Sequence, residues 1–222
     1  MVLNRDALVV GFDLDMTLID QRVGIASAMA ALEAEIDAGI DVQWVVDNIG
    51  PRLETVLARW VAPEGIEGAA SRYRELFGVV GVATTRAMPG AAAAVDAVQA
   101  AGGKVIVVTA KYEPHAREGL RAVELVPDAV FGLRFGPDKA DALLAHGAEI
   151  YVGDHPGDVL AARAGNAVAV TVSSGPASAD ELADAGADVV LGTLHEFPTW
   201  FDGYRRSTRR RRARAPRRQG QV

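Results

Sequence analysis

The chain has 222 residues, 50% of them hydrophobic and 23% charged, which suits one well-cored domain with an insertion or two small domains. It has no cysteine, which excludes disulfides, thiol chemistry and cysteine-ligated zinc or iron–sulfur centres. The net charge of −6 hides an asymmetry: nine arginines and no acid between Arg205 and Val222 make a tail of +9, leaving −15 on the residues up to Tyr204.

In chain order, Ala7 to Gly11 followed by Phe12 predicts a short buried strand, with Asp13 and Asp15 at its carboxyl end and Thr17 just beyond. This apolar run is too short for a membrane span or a secretory signal, so a soluble cytoplasmic protein is expected. Two carboxylates two residues apart in an extended segment can face the same way and repel unless a cation intervenes. Mg²⁺ is the natural candidate, being hard and oxygen-seeking. From Val23 to Gly39, Ile25, Met29, Leu32 and Ile36 share one helical face. Val42–Ile49 predicts a second helix, and Leu53, Val56, Leu57 and Trp60 a third that stops near Pro63. Ser71 is placed as the cap of a fourth, Arg72–Val80. No strand alternation occurs between Gln21 and Ala87, so this stretch reads as an all-helical module inserted after the first strand.

Beyond it, helices are expected over Ala91–Ala101, Pro114–Glu124, Lys139–His146, Val159–Gly165 and Asp180–Ala185. They alternate with strands over Lys104–Val108, Asp128–Gly132, Glu149–Val152, Val168–Val172 and Asp188–Leu191. This alternation predicts an α/β, Rossmann-like parallel sheet with helices on both faces. In such sheets ligands bind outside the carboxyl ends of the strands.

Three more segments place polar chemistry at the right end of the sheet. Thr109 ends a strand and offers a hydroxyl and a backbone N–H to a phosphate oxygen. Lys139 opens a helix and can balance both a phosphate and a carboxylate, in a chain with only three Lys against twenty Arg. Asp154 and Asp158, in Gly153-Asp-His-Pro-Gly-Asp158, can converge on one cation across a tight loop. Singly, each has a plain structural explanation: helix capping for Thr109, a solvated surface group for Lys139, an acidic turn for the last pair. His155, in the same turn, reads as a loop residue.

The order Asp13-Leu-Asp15-Met-Thr17, Thr109, Lys139, Gly153-Asp154-x-x-x-Asp158 resembles the haloacid dehalogenase-like (HAD) hydrolase superfamily, specifically its phosphatases with a helical cap, over roughly residues 8–194. The resemblance implies a core of residues 1–20 and 88–200, a cap of 21–87 hinged at Gln21–Arg22 and Ala83–Ala87, and an Arg-rich tail of 205–222, whose composition predicts disorder. It implies that Asp13 is the nucleophile, that Asp15 is the general acid and then base, and that Thr109 and Lys139 hold the phosphoryl group, with Thr17 orienting the loop. Mg²⁺ would be bound by Asp13, the carbonyl of Asp15 and Asp154. Asp158 would serve as a further ligand, directly or through water, or as the partner of Lys139. Arg52, in a loop that resembles the specificity loop of phosphoglycolate phosphatases, would meet a distal anion of the substrate, and Lys111 would be a further contact. Met16 departs from the pattern, standing where many relatives have Gly, and its side chain is expected to narrow or reshape the loop.

The implied activity is hydrolysis of a small phosphorylated metabolite, with phosphoglycolate the first choice and pyrophosphate, sugar phosphates and nucleoside monophosphates behind it. Asp15 argues against a dehalogenase, and the absence of Lys between Gln21 and Ala87 argues against a phosphonate hydrolase. A sugar phosphomutase or an inorganic pyrophosphatase of the same superfamily remains as an alternative. So does, in another class, a non-catalytic binding protein whose tail contacts nucleic acid. Neither the composition nor the spacing fixes an oligomeric state.

Overall fold

The computed structural model describes residues 7–214. In chain order the elements are β1 (Val9–Phe12), β2 (Ile19–Asp20), α1 (Arg22–Ile36), α2 (Val42–Asp47), α3 (Leu53–Leu57), α4 (Ile66–Val80), β3 (Arg86–Ala87), α5 (Ala91–Ala100) and β4 (Lys104–Val108). There follow α6 (Glu113–Ala122), β5 (Ala129–Phe131), α7 (Lys139–His146), β6 (Ala148–Gly153), α8 (Pro156–Ala164), β7 (Val168–Val172), α9 (Ala179–Asp184), β8 (Val189–Leu191) and α10 (Phe197–Arg214).

Six strands form one parallel sheet in the order β5-β4-β1-β6-β7-β8. Period-two alternation splits each strand between two helical layers. Val10 and Phe12, Val105 and Val107, and Ile150 and Val152 pack with α5, α6 and α10. Val9, Ile106, Val108 and Tyr151 pack with α7 and α8. The sheet is therefore buried on both faces, which explains why its strands read as almost unbroken Val/Ile runs. The chain winds outward from β1 to one side through β4 and β5, then returns to β6 on the other. The crevice this reversal opens lies at the carboxyl ends of β1, β4 and β6.

Helices α1–α4 leave the sheet after β2 and return at β3. These two short strands pair antiparallel, Ile19 with Ala87 and Asp20 with Arg86, and the Gln21 amide donates to Thr85 Oγ1 at 2.7 Å. The crossing falls at these residues, so one of its two strands precedes the expected Gln21–Arg22. The four helices share a core of their own, including Met29, Leu32, Leu57, Tyr73 and Phe77.

The structure differs from expectation at three helices, of which the third ends at Leu57, short of the expected Trp60 and the stop near Pro63. The fourth helix starts at Ile66, after a turn opened by Pro63, and Ser71 lies in its interior, capping nothing. Ala69 and Ala70 are buried against the module's core, and that packing outweighs Gly68, which reads as a breaker in sequence. At the other end, residues 205–214 of the tail expected to be disordered continue α10. Phe197 and Phe201 stack and are buried in the main core, Trp200 stacks on Tyr204, and Asp202 pairs with Arg206 at 3.4 Å. A helix nucleated by this packing propagates readily into arginine, a good helix former. The core thus extends past residue 200, and the rest of the tail, 215–222, lies outside the described residues. Among the described residues no helix is long and apolar enough to cross a membrane.

Candidate active site

Asp13 follows β1, Thr109 follows β4 and Asp154 follows β6, three adjacent strands whose ends bring residues far apart in sequence together. Asp13, Lys139, Asp154 and Asp158 are all buried. The Lys139 ammonium donates to Asp13 Oδ1 at 2.7 Å and to Asp158 Oδ1 at 2.6 Å, so Asp158 is the partner of Lys139 here. Asp158 Oδ2 also accepts from the His155 N–H at 3.1 Å, and Thr17 Oγ1 donates to Asp154 Oδ1 at 2.9 Å. Thr109 donates its own N–H to Phe131 O at 2.9 Å, so that N–H is not free for a phosphate as expected. Its hydroxyl accepts from the Lys111 N–H at 3.2 Å and keeps its hydrogen to donate. Lys111 Nζ lies 3.3 Å from both oxygens of Asp15. His155 caps α8 through Nδ1, a structural role in keeping with the loop reading.

Three carboxylates against one ammonium leave the floor with surplus negative charge. Oxygens of Asp13, Asp154 and Asp158 lie within 4.8 Å of one another. Burial pushes the Asp13 carboxyl up to about 7; Lys139 opposes the shift, while Asp158 and Asp15 add to it. Burial, with Asp13 and Asp158 nearby, also raises Asp154 well above the usual carboxylate range. Burial alone would lower Lys139, yet Asp13 and Asp158 hold it well above its ordinary value. Asp13 and Asp154, driven toward protonation first by burial and then by neighbouring carboxylates, offer oxygen ligands that fit a hard divalent cation. Two glycines make room for this packing: a Cβ on Gly153 would run into the Asp158 carboxylate, and one on Gly175 into that of Asp154. The Asp15 carboxylate stands outside this trio, turned toward Lys111.

Met16 explains its own departure. Its φ is 62°, in the left-handed region that a glycine adopts freely. The side chain is buried in the main core instead of narrowing the cleft, and the Met16 carbonyl accepts from Ser174 Oγ at 2.7 Å. Core burial thus offsets a backbone cost of about 1–2 kcal/mol.

Above Asp13, Asp15, Thr109 and Lys111 opens a cleft whose other walls come from α1, α3, α4, the residues before α3 and Tyr112. Arg52 is not among its lining residues. Its guanidinium pairs with Asp138 at 2.5 Å, with both side chains largely solvent-exposed. The cation on the inner wall is Arg74, paired with Glu54, a residue sequence reasoning passed over because its neighbours Tyr73 and Phe77 read as helix core. Tyr151 was also missed: its hydroxyl donates to Val108 O at 2.8 Å and lies 3.4 Å from Asp158 Oδ1, beneath Lys139. A polar tip on an otherwise apolar strand was the only signal for it.

The family model of haloacid dehalogenase-like hydrolases matches residues 10–163. The chain belongs to this family. Solved structures share its fold. A predicted phosphatase from Clostridium acetobutylicum is 23% identical with a TM-score of 0.79, over 89% of this chain and 99% of that one. A predicted phosphoglycolate phosphatase from Haemophilus somnus is 17% identical with a TM-score of 0.75, over 88% and 98%. A candidate beta-phosphoglucomutase from Bacteroides vulgatus is 17% identical with a TM-score of 0.69, over 91% and 90%. No curated protein matches the sequence. This member of the haloacid dehalogenase-like hydrolases therefore shares the α/β fold of these structures.

Proposed function

We propose that this HAD hydrolase is a Mg²⁺-dependent phosphatase that hydrolyses a small organophosphate monoester through an aspartyl phosphate on Asp13. The observation that supports it best is the charge pattern of the floor: one buried carboxylate, Asp13, held by Lys139 beside two further carboxylates, and a second, Asp15, set apart and held by Lys111. The two acids thereby stand in different surroundings suited to different roles.

In the first step an Asp13 oxygen attacks phosphorus, the ester P–O bond breaks, and Asp15 gives its proton to the departing alcohol oxygen. In the second, Asp15 takes a proton from water, which attacks phosphorus, releases inorganic phosphate and restores the Asp13 carboxylate. The Thr109 hydroxyl donates to a phosphoryl oxygen, and Lys139 offsets the charge of nucleophile and phosphate together. Lys111 positions Asp15, while Thr17 positions Asp154. Mg²⁺, held by Asp13, Asp154 and the Asp15 carbonyl with Asp158 behind, would supply the positive charge that lets two anions approach. Helices α1–α4 act as a cap over the cleft, moving at the β2–β3 crossing and excluding water when closed.

The test is phosphate release from phosphoglycolate, sugar phosphates, nucleoside monophosphates and pyrophosphate, with and without Mg²⁺ and with no bisphosphate activator. Release from at least one compound that needs Mg²⁺ and is lost in Asp13→Asn is expected. No release from any of them, or an equally active Asp13→Asn, contradicts the reading. Activity that needs a bisphosphate would point to a mutase.

A further inference from the structure

Above the floor the cleft changes character. Ile25, Met29, Val56, Tyr73 and Phe77 of the helical module, with Tyr112 opposite, give it an apolar far wall. Two cations line it, and each already has a carboxylate: Lys111 is held by Asp15 and packs over the Phe77 ring at 4.4 Å, and Arg74 is held by Glu54. His115, also in the lining, is kept below its ordinary pKa, first by burial and then by the Lys111 charge, so it is neutral at pH 7. Arg52 faces outward to Asp138.

A second anionic group on a substrate would therefore be desolvated against apolar side chains with no uncommitted cation among the described lining residues to meet it, which is costly. An apolar body of similar size would bury itself there favourably. Tyr73 adds one neutral donor: it is mostly buried, lines the cleft, and its hydroxyl makes no hydrogen bond to another described residue. Burial, with the Asp15 charge, holds that phenol protonated.

Building on the phosphatase reading, we propose that the substrate is the phosphate monoester of an uncharged alcohol with an apolar, aryl-sized body. The apolar wall, with the neutral Tyr73 phenol in it, thus sets specificity against small metabolites that carry a second anionic group beside the phosphate, such as phosphoglycolate.

The test compares 2-phenylethyl phosphate with phosphoglycolate in the full-length protein with Mg²⁺. A preference in kcat/KM of about tenfold or more for the phenyl compound is expected. Glu54→Gln, which releases Arg74 at a partly exposed position, is expected to shrink that ratio by improving kcat/KM for phosphoglycolate. Phosphate release that favours phosphoglycolate or treats both alike, or a ratio unmoved in Glu54→Gln, overturns the inference while leaving the phosphatase reading intact. Binding of the non-hydrolysable analogues 2-phenylethylphosphonate and phosphonoacetate separates the two ideas. Tighter binding of the phenyl compound without hydrolysis of either ester defeats the phosphatase reading and supports the apolar specificity of the cleft. Absence of both binding and hydrolysis defeats both.

Discussion

The floor and the roof of the cleft solve opposite electrostatic problems. On the floor, Asp13, Asp154 and Asp158 crowd around one ammonium, and the surplus charge makes the site dependent on something that binds there. On the roof, Arg74 is matched by Glu54 among apolar side chains, and Lys111 pairs with Asp15 where roof and floor meet. The difference teaches where each property of the protein resides. In the proposed reading the unbalanced, buried charge of the floor takes the phosphoryl group, whereas the apolar wall selects what reaches it.

The sharpest way to break the comparison is at the floor. Asp13→Asn keeps the shape of the side chain but removes the attacking oxygen's charge, and phosphate release should fall by about 10⁴-fold or more in a steady-state assay. Retained activity would mean that the floor's charge pattern is structural. Gly175→Ala probes the same region without removing a ligand. The added Cβ would displace the Asp154 carboxylate, so half-saturation by Mg²⁺ should require about 10–100 times more metal, with the melting temperature little changed.

The surplus charge also makes a prediction about pH. Asp13 has its carboxyl raised from 3.8 to about 7, and Asp154 is raised in the same direction. A raised acid contributes stability that is whole below its unfolded value and is lost as pH climbs through the folded one. In chelator, thermal unfolding should therefore occur at lower temperature at pH 8 than at pH 5, by about 5 °C or more, and Mg²⁺ should restore more stability at pH 8. A melting temperature that is level or rising across that window would show that ionising the buried Asp13 and Asp154 carries no such cost. The smallest effect belongs to the roof's outer edge. Because Arg52 and Asp138 form an exposed pair worth about 0–1 kcal/mol, Arg52→Ala should leave kcat/KM for any accepted substrate within about twofold. A larger, substrate-selective loss would return Arg52 to the cleft.

The same division governs what could be read before the structure was known. Every strand of the sheet was legible because burial on both faces compresses each into a short β-branched run, and Asp13, Thr109 and Asp154 were legible as polar residues at the ends of those runs. Lys139 was conspicuous against twenty arginines. The roof was not legible in this way. Tyr73 and Phe77 have helical spacing whether they fill a core or line a cleft, and here they do both. Arg52 and Arg74 cannot be told apart by sequence, since only the packing of α4 against α3 decides which one turns inward. The helix through residues 205–214 was hidden because composition registers the arginines and not the buried Phe197 and Phe201 that start it. Met16 shows the reverse case: a departure from pattern whose backbone cost is offset by burial that composition cannot display.

The account rests on Asp13 taking the phosphoryl group. Acid quenching of the protein during turnover of an accepted monoester, followed by proteolysis and mass analysis, tests this directly. The peptide spanning Ala7 to Asp20 should carry one added phosphoryl group at Asp13, formed and lost at rates compatible with turnover. Steady phosphate release with that peptide unmodified at every time point would contradict it.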